Sequence, residues 1–340
     1  MFRGTGGALL IALAALTGCG PQASPTQASS RLIVFGDSGS DIGNLKAQSG
    51  VIPSDPYYEG RFCNGPIWVD SLAKHLGVDL QPSLLGGTNF AHGAAASGSG
   101  LSKLSWYPIG PNLLEQIQLY TDKPDGTELF VVWGGVLDLF HALEGDCAVS
   151  PDQVADNVMT GVKTLYDRGG RYFLVGNLPD LGSVPYYRTS FKRAAASDLS
   201  ASVNAALTER LDELEQLPGV TLYRLDAASL LSESIANPPE GITNVTDPAW
   251  TGQFAGYLDA GELSPNSDSF LFWDFVHLSR TWHDVLAKKA IDLVDARPLP
   301  SPSSTSQPMA QARPPVALNY WLTFFSLAAQ PTNSPSECQY

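Results

Sequence analysis

Leu32-Ile-Val-Phe35-Gly36-Asp37-Ser38-Gly39-Ser40-Asp41-Ile42-Gly43-Asn44 is the stretch from which the rest of the chain can be read. It opens with four apolar residues and then changes at once to Gly, Asp and Ser. A short unbroken apolar run that ends at glycine fits a strand buried on both faces, as in a parallel sheet. Three later runs repeat the pattern: Leu129-Phe-Val-Val-Trp133 before Gly134-Gly135, Tyr172-Phe-Leu-Val175 before Gly176-Asn177, and Val220-Thr-Leu-Tyr-Arg-Leu225 before Asp226. Helical periodicity lies between and after them, at roughly 151–168, 198–216 and 280–295. Alternating β and α elements predict an α/β domain whose parallel sheet is covered on both faces. In such sheets ligands bind beyond the carboxyl ends of the strands, and Gly, Asn and Asp gather at those ends here.

Ser38 therefore falls on a tight turn at the functional edge of the predicted sheet. A hydroxyl becomes nucleophilic only beside a base. The Gly-Asp-Ser triplet also fits a plain strand-to-helix cap with Asp37 or Ser38 as N-cap. The base has to come from five histidines, at 75, 92, 141, 277 and 283. His75 reads as a surface residue of a helix. His141 and His283 read as solvent-facing or helix-cap positions, and His92 as a packed loop residue near the site. His277 stands apart in Phe272-Trp-Asp274-Phe-Val-His277, just before the last helix. An Asp three residues before a His on a turn can fold back onto Nδ1, which fixes the tautomer and leaves Nε2 to take a serine proton.

Phe-Gly-Asp-Ser near the start and Asp-x-x-His near the end resemble the first and last blocks of the GDSL, or SGNH, hydrolases. Gly60-Arg-Phe-Cys-Asn-Gly-Pro-Ile-Trp-Val-Asp70, Asn89-Phe-Ala-His-Gly-Ala-Ala95, Val131-Val-Trp-Gly-Gly-Val-Leu-Asp138 and Gly176-Asn-Leu-Pro-Asp-Leu-Gly182 resemble blocks of that family in the same order. The likeness runs from about Arg31 to Asp295. It implies a three-layer, flavodoxin-like α/β/α sandwich and ester hydrolysis through an acyl-enzyme, with neither metal nor cofactor. Carried over by position, Ser38 is the nucleophile, His277 the general base and Asp274 the residue that orients it. The backbone N–H groups of Ser38 and Gly93 would form the oxyanion hole.

Three positions depart from the family pattern. Leu137 stands where the family's third block carries an Asn whose side chain is a further oxyanion donor, and losing such a donor costs roughly 10²–10³ in kcat. His92 is a candidate replacement. Gly93 is followed by Ala94 where two glycines are common, which leaves the oxyanion amide open by one residue. Leu278 replaces a frequent Pro after the catalytic His. Asp37, Asp41 and Asn44 are expected to brace the nucleophile loop, Asp138 to serve as a structural hydrogen-bonding residue, and Asp226 to cap a loop. Trp106, Tyr107, Trp250 and Tyr257 fit either an acyl pocket or local packing.

The 340 residues divide into four expected parts. Residues 1–19 read as a signal peptide: Arg3 precedes an apolar run from Ala8 to Leu16 that is too short to span a bilayer, for which about 20 residues are needed. The run ends Leu16-Thr17-Gly18-Cys19, which resembles the bacterial lipobox, so Cys19 is expected to carry the lipid that anchors the chain to the membrane, with the outer membrane favoured by Gly20. Residues 20–30 read as a flexible tether and 31–296 as the hydrolase domain. Residues 297–340 form a Pro/Ser-rich tail, too poor in buried-type residues to fold alone, although Tyr320–Leu327 is apolar. A net charge of −14 excludes a nucleic-acid partner. Export permits a disulfide, and Cys63–Cys147 is the expected pair, with Cys338 left over. The expected protein is a monomeric, envelope-anchored esterase, lipase or lysophospholipase acting on an ester or lipid. The alternatives are a catalytically impaired binding lipoprotein on the same fold and an O-deacetylase of envelope polysaccharide.

Overall fold

The computed structural model describes residues 31–104, 107–146, 148–252 and 261–300. In chain order the elements are β1 (Leu32–Gly36), α1 (Asn44–Ser49), α2 (Trp68–Leu76), β2 (Leu101–Leu104), β3 (Tyr107–Pro111), α3 (Leu113–Leu119), β4 (Leu129–Trp133), α4 (Val136–Glu144), α5 (Pro151–Arg168), β5 (Tyr172–Gly176), α6 (Pro185–Arg188), α7 (Arg193–Leu214), β6 (Thr221–Leu225), α8 (Ala227–Ala236), β7 (Asn244–Pro248), β8 (Phe270–Phe272) and α9 (Arg280–Ala296).

The four strands expected from the sequence form one parallel sheet in the order β1-β4-β5-β6. Their residues alternate between two cores, as the two-residue period of a strand requires. Leu32, Val34, Val131, Leu174 and Tyr223 pack with Trp68, Leu72, Trp282, Leu286 and Ala290 of α2 and α9. Ile33, Phe35, Phe130, Val132 and Phe173 pack with Ile117, Val158, Val162, Leu207 and Leu211 of α3, α5 and α7. All five residues of β4's counterpart β1 are buried, so both faces are covered and the molecule is a three-layer α/β/α sandwich. Each large aliphatic side chain removed from water here contributes about 1.5–3 kcal/mol of transfer free energy.

Helix α5 starts where its sequence provides a cap. Ser150 caps α5 by accepting the Gln153 N–H at 3.0 Å, and Pro151 follows at the first helical position. α7 begins at Arg193, earlier than the periodicity suggests, because Ala194, Ala195 and Ala196 favour helix strongly.

One extended segment completes the functional edge. Residues 88–92 run beside β1: Val34 N–H donates to Thr88 O at 3.0 Å, Phe90 N–H to Val34 O at 2.7 Å, and His92 N–H to Gly36 O at 3.0 Å. The two polypeptides leave the sheet edge together, which brings Gly93 and Ala94 beside the turn that follows β1.

Some expectations need correction. The pairs β2/β3 and β7/β8 were not legible, since these strands are only three to five residues long and β3 and β7 contain Pro. The Cys63–Cys147 disulfide is not formed at Cys63, which is a fully buried free thiol whose pKa burial pushes up to about 12. Cys147 itself lies outside the described residues, as do Cys19, Cys338, Trp106, Tyr257, the signal peptide, the tether and residues 301–340. Leu299 packs against the core, so the folded part reaches past the expected boundary at 296. His283 faces the interior instead of solvent: it is buried on the first turn of α9, where desolvation and the neighbouring His277 push its pKa down to about 3.

Candidate active site

The nucleophile turn is built by close approach. A Cβ on Gly36 would lie 2.2 Å from the carbonyl oxygen of Trp133, so only glycine lets β1 and β4 meet at this point. Gln116 of α3 holds both backbone groups of Gly36, accepting its N–H at 2.9 Å and donating to its carbonyl at 2.8 Å. The turn is then fixed from several sides. Asp37 Oδ1 accepts the Gly39 N–H at 3.0 Å. Trp68 Nε1 donates to Gly39 O at 3.1 Å and to Ser40 Oγ at 3.2 Å. Asn89 Nδ2 donates to Ser40 O at 2.8 Å. Asp41 Oδ1 accepts the N–H groups of Gly43 and Asn44 at 2.7 and 2.6 Å, and Asn44 Nδ2 bridges Asn89 O and Ala91 O at 2.8 Å each. Asp37, Asp41 and Asn44 thus brace the turn, as expected.

Ser38 projects from this frame toward the loop after β8. Its Oγ lies 2.9 Å from His277 Nε2, and His277 Nδ1 lies 2.7 Å from Asp274 Oδ2. The Asp-x-x-His spacing works through the backbone: Asp274 Oδ1 accepts the N–H groups of Val276 and His277 at 2.7 and 2.6 Å, which folds the turn and aims the other oxygen at the imidazole. Asp274 is fully buried. Burial pushes its pKa up, but the charge and hydrogen bonds of His277, with a further bond from Tyr57, outweigh burial and hold the carboxyl below its ordinary value. An ionised Asp274 makes Nδ1 the protonated nitrogen of the neutral ring and leaves Nε2 as acceptor for the serine hydroxyl. Asp37 differs: desolvation raises its pKa to about 6, opposed by the Gly39 N–H and His277 and reinforced by the charge of Asp138.

The expected oxyanion side departs from expectation. The Gly93 N–H is engaged, donating to Asp41 Oδ2 at 2.8 Å. Gly93 is also confined sterically, since a Cβ there would meet the Phe62 ring at 2.7 Å. The next residue, Ala94, takes a left-handed φ of 62°, which turns its peptide away from that path. Among the described residues, neither the Ala94 nor the Ser38 N–H has an acceptor. His92 does not replace the missing side-chain donor: its ring is buried, with Nδ1 2.9 Å from Gly93 O and Nε2 2.7 Å from the Gln48 side-chain amide. Leu137 is half-buried at the second position of α4. Its neighbour Asp138 is buried and binds the backbone N–H and the hydroxyl of Ser97, each at 2.8 Å, so it holds the loop that carries Ala94.

Other side chains at the site carried no sequence signal. The Tyr57 hydroxyl donates to Asp274 Oδ2 at 2.7 Å, and the Phe62 ring lies 5.0 Å from the His277 ring. Both belong to the irregular stretch between α1 and α2, where no periodicity points inward; the only hint was the Gly60–Asp70 block, which contains Phe62 and which Tyr57 shortly precedes. Asp226 caps α8 through Ser229 N–H at 3.1 Å, and Trp250 is packed in a small cluster with Tyr57 and Trp273.

The GDSL-like lipase/acylhydrolase family matches residues 32–290. The chain belongs to this family. A phosphatidylcholine-sterol acyltransferase of Aeromonas hydrophila is 27% identical over 336 residues, covering 85% of this chain and 96% of that protein. A GDSL esterase/lipase of Arabidopsis thaliana is 26% identical over 335 residues, covering 78% and 88%. Among solved structures, a catalytic mutant of an acetylxylan esterase from Geobacillus stearothermophilus overlays with a TM-score of 0.46 at 12% identity, covering 78% of this chain and 94% of that one. As a GDSL-family member the protein is a serine ester hydrolase.

Proposed function

We propose that Ser38, His277 and Asp274 are the catalytic triad of a carboxylic-ester hydrolase whose substrates are lipid acyl esters. The observation that carries the proposal is the unbroken relay from Ser38 Oγ through both imidazole nitrogens to a buried carboxylate, at 2.9 and 2.7 Å. His277 Nε2 takes the hydroxyl proton as Oγ attacks the acyl carbonyl. The imidazolium that forms is stabilised by Asp274 and returns the proton to the departing alcohol. Water then attacks the acyl-enzyme by the same route, and Ser38 is released with the fatty acid. We assign the oxyanion to the N–H groups of Ser38 and Ala94, in place of Gly93, because these two amides are unengaged beside the nucleophile. With Leu137 supplying no donor, a hole of two amides makes a slower enzyme than a family member with all three.

The lipid preference draws on the relation to a phosphatidylcholine-sterol acyltransferase and on the expected anchor. Acylation of Cys19 would hold the chain, a monomer, at the outer membrane within reach of lipid. Incorporation of labelled palmitate that disappears in Cys19→Ser would support the anchor, and its persistence would refute it.

Hydrolysis of p-nitrophenyl esters from two to sixteen carbons, with Ser38→Ala as control, tests the activity. Activity that requires Ser38 and rises toward long chains is the expected result. Equal activity in Ser38→Ala would overturn the triad, and a preference for the acetyl ester would turn the substrate toward an O-deacetylase's.

A further inference from the structure

We infer that Tyr57 is a positioning residue for the base, a fourth member of the relay that sets the basicity of His277 through Asp274. The role presupposes the triad proposed above.

Asp274 has room for about four hydrogen bonds on its two oxygens, and four donors occupy it. Val276 and His277 N–H groups take Oδ1, at 2.7 and 2.6 Å. His277 Nδ1 and the Tyr57 hydroxyl share Oδ2, both at 2.7 Å. Three of these donors come from the Asp274–His277 turn itself. Tyr57 arrives from 217 residues away in the chain and supplies the only long-range bond among the four. Its ring is buried and held edge-on against Trp273 at 5.9 Å and Phe62 at 6.2 Å. Phe62 in turn lies against the His277 ring at 5.0 Å. One excursion of chain between α1 and α2 thus reaches both members of the acid–base pair: Tyr57 the carboxylate, Phe62 the imidazole.

The hydroxyl and the imidazole compete for one oxygen. A hydrogen bond from the hydroxyl disperses negative charge that would otherwise fall on the imidazolium. Desolvation, with the negative charge of Asp274, pushes the phenol far above its ordinary pKa, so it remains a neutral donor wherever the enzyme works. Removing that donor concentrates the carboxylate's charge on Nδ1–H and favours the protonated ring. The pKa of His277 then rises, and activity that needs the neutral ring is lost at a higher pH than in the wild type. Other groups face the pair as well. Asp37 faces His277 from the nucleophile turn, His283 from α9, and Cys63 faces Asp274 from the stretch before α2. They are the same in both proteins, so the difference between Tyr57→Phe and wild type isolates the hydroxyl.

The test is the titration of His277 by NMR of histidine-labelled protein, alongside the pH profile of kcat/KM, in wild type and Tyr57→Phe. Phenylalanine keeps the ring contacts with Trp273 and Phe62. The expected result is a rise of about 0.5–1 unit in the His277 pKa, matched by the acid limb of the profile, with kcat reduced and KM little changed. A residue that only supported the fold would scale activity equally at every pH. A folded Tyr57→Phe whose His277 titrates as in the wild type would overturn the inference. Should Tyr57→Phe fail to fold, site-specific 3-fluorotyrosine at position 57 keeps the question open to test: as a stronger donor it must lower the His277 pKa, and an unchanged or raised value refutes the role. The titration needs no turnover, so an absence of Ser38-dependent hydrolysis would count against the triad alone.

Discussion

The base side and the oxyanion side of the candidate site face each other across Ser38 and are built in opposite ways. On the base side every acceptor is saturated: Asp274 receives four hydrogen bonds and sits with no exposure to solvent. On the oxyanion side one expected donor is bound to Asp41 and another is replaced by Leu137. Two backbone amides, of Ser38 and Ala94, are left unengaged among the described residues. Under the mechanism proposed above, the contrast places the weak point of catalysis on the oxyanion side. The proposed proton relay is joined by hydrogen bonds at each step, whereas the proposed oxyanion side has leucine at position 137, where the family resemblance implies an asparagine donor.

Changes on the saturated side should therefore have the largest effect. Asp274→Asn leaves the turn's geometry available but favours the wrong imidazole tautomer, and a fall in kcat of about 10⁴ is expected. A loss below tenfold, measured on the best p-nitrophenyl ester, would mean that His277 is oriented by something else. On the depleted side, Leu137→Asn is expected to raise kcat, by up to about 10² if the amide reaches the oxyanion. A fall in kcat in the folded variant would show a pocket rebuilt around leucine. Asp37 offers a finer probe. Its folded pKa of about 6 lies above the ordinary value of 3.8, so the folded state holds this proton more tightly than the unfolded chain does. Stability from this group is present below the unfolded pKa and is lost as pH rises through about 6. Asp37→Asn, whose Oδ1 can still accept the Gly39 N–H, should thus unfold at higher temperature than wild type at pH 8, by on the order of 1–3 kcal/mol, with no gain near pH 3.5. The smallest expected effect belongs to Ala94→Gly. Relief of the left-handed backbone should stabilise the fold by about 1 kcal/mol in thermal melts while activity is kept. Destabilisation together with lost activity would mean that packing of the methyl group against Leu45 and Phe62 outweighs the backbone strain and holds the loop in place.

The same contrast governs what was legible in the sequence. The base side is written locally. Asp274 and His277 are three residues apart and bound by their own backbone, and Ser38 follows its strand directly, so pattern and spacing pointed to them and the resemblance to the GDSL hydrolases supplied their expected roles. The four sheet strands were legible for a related reason: strands buried on both faces are continuous apolar runs. The proposed oxyanion side turns on which of two adjacent amides, of Gly93 or Ala94, is left unengaged. That choice is made by Asp41, 52 residues away in the chain, which takes the Gly93 N–H. No local rule reveals it. Tyr57 was hidden in the same way, since its partner lies 217 residues on. His283 was misplaced because a polar residue at a helix start is ordinarily exposed, and only the packing of α9 against the sheet buries it.

Active-site labelling with a fluorophosphonate, with the modified residue located by mass spectrometry, tests the central claim most directly. One label per chain on Ser38, abolished by His277→Ala in a protein that remains folded, is the predicted result. Folded protein that takes no label, or that takes it at another residue, would contradict Ser38 as the activated nucleophile.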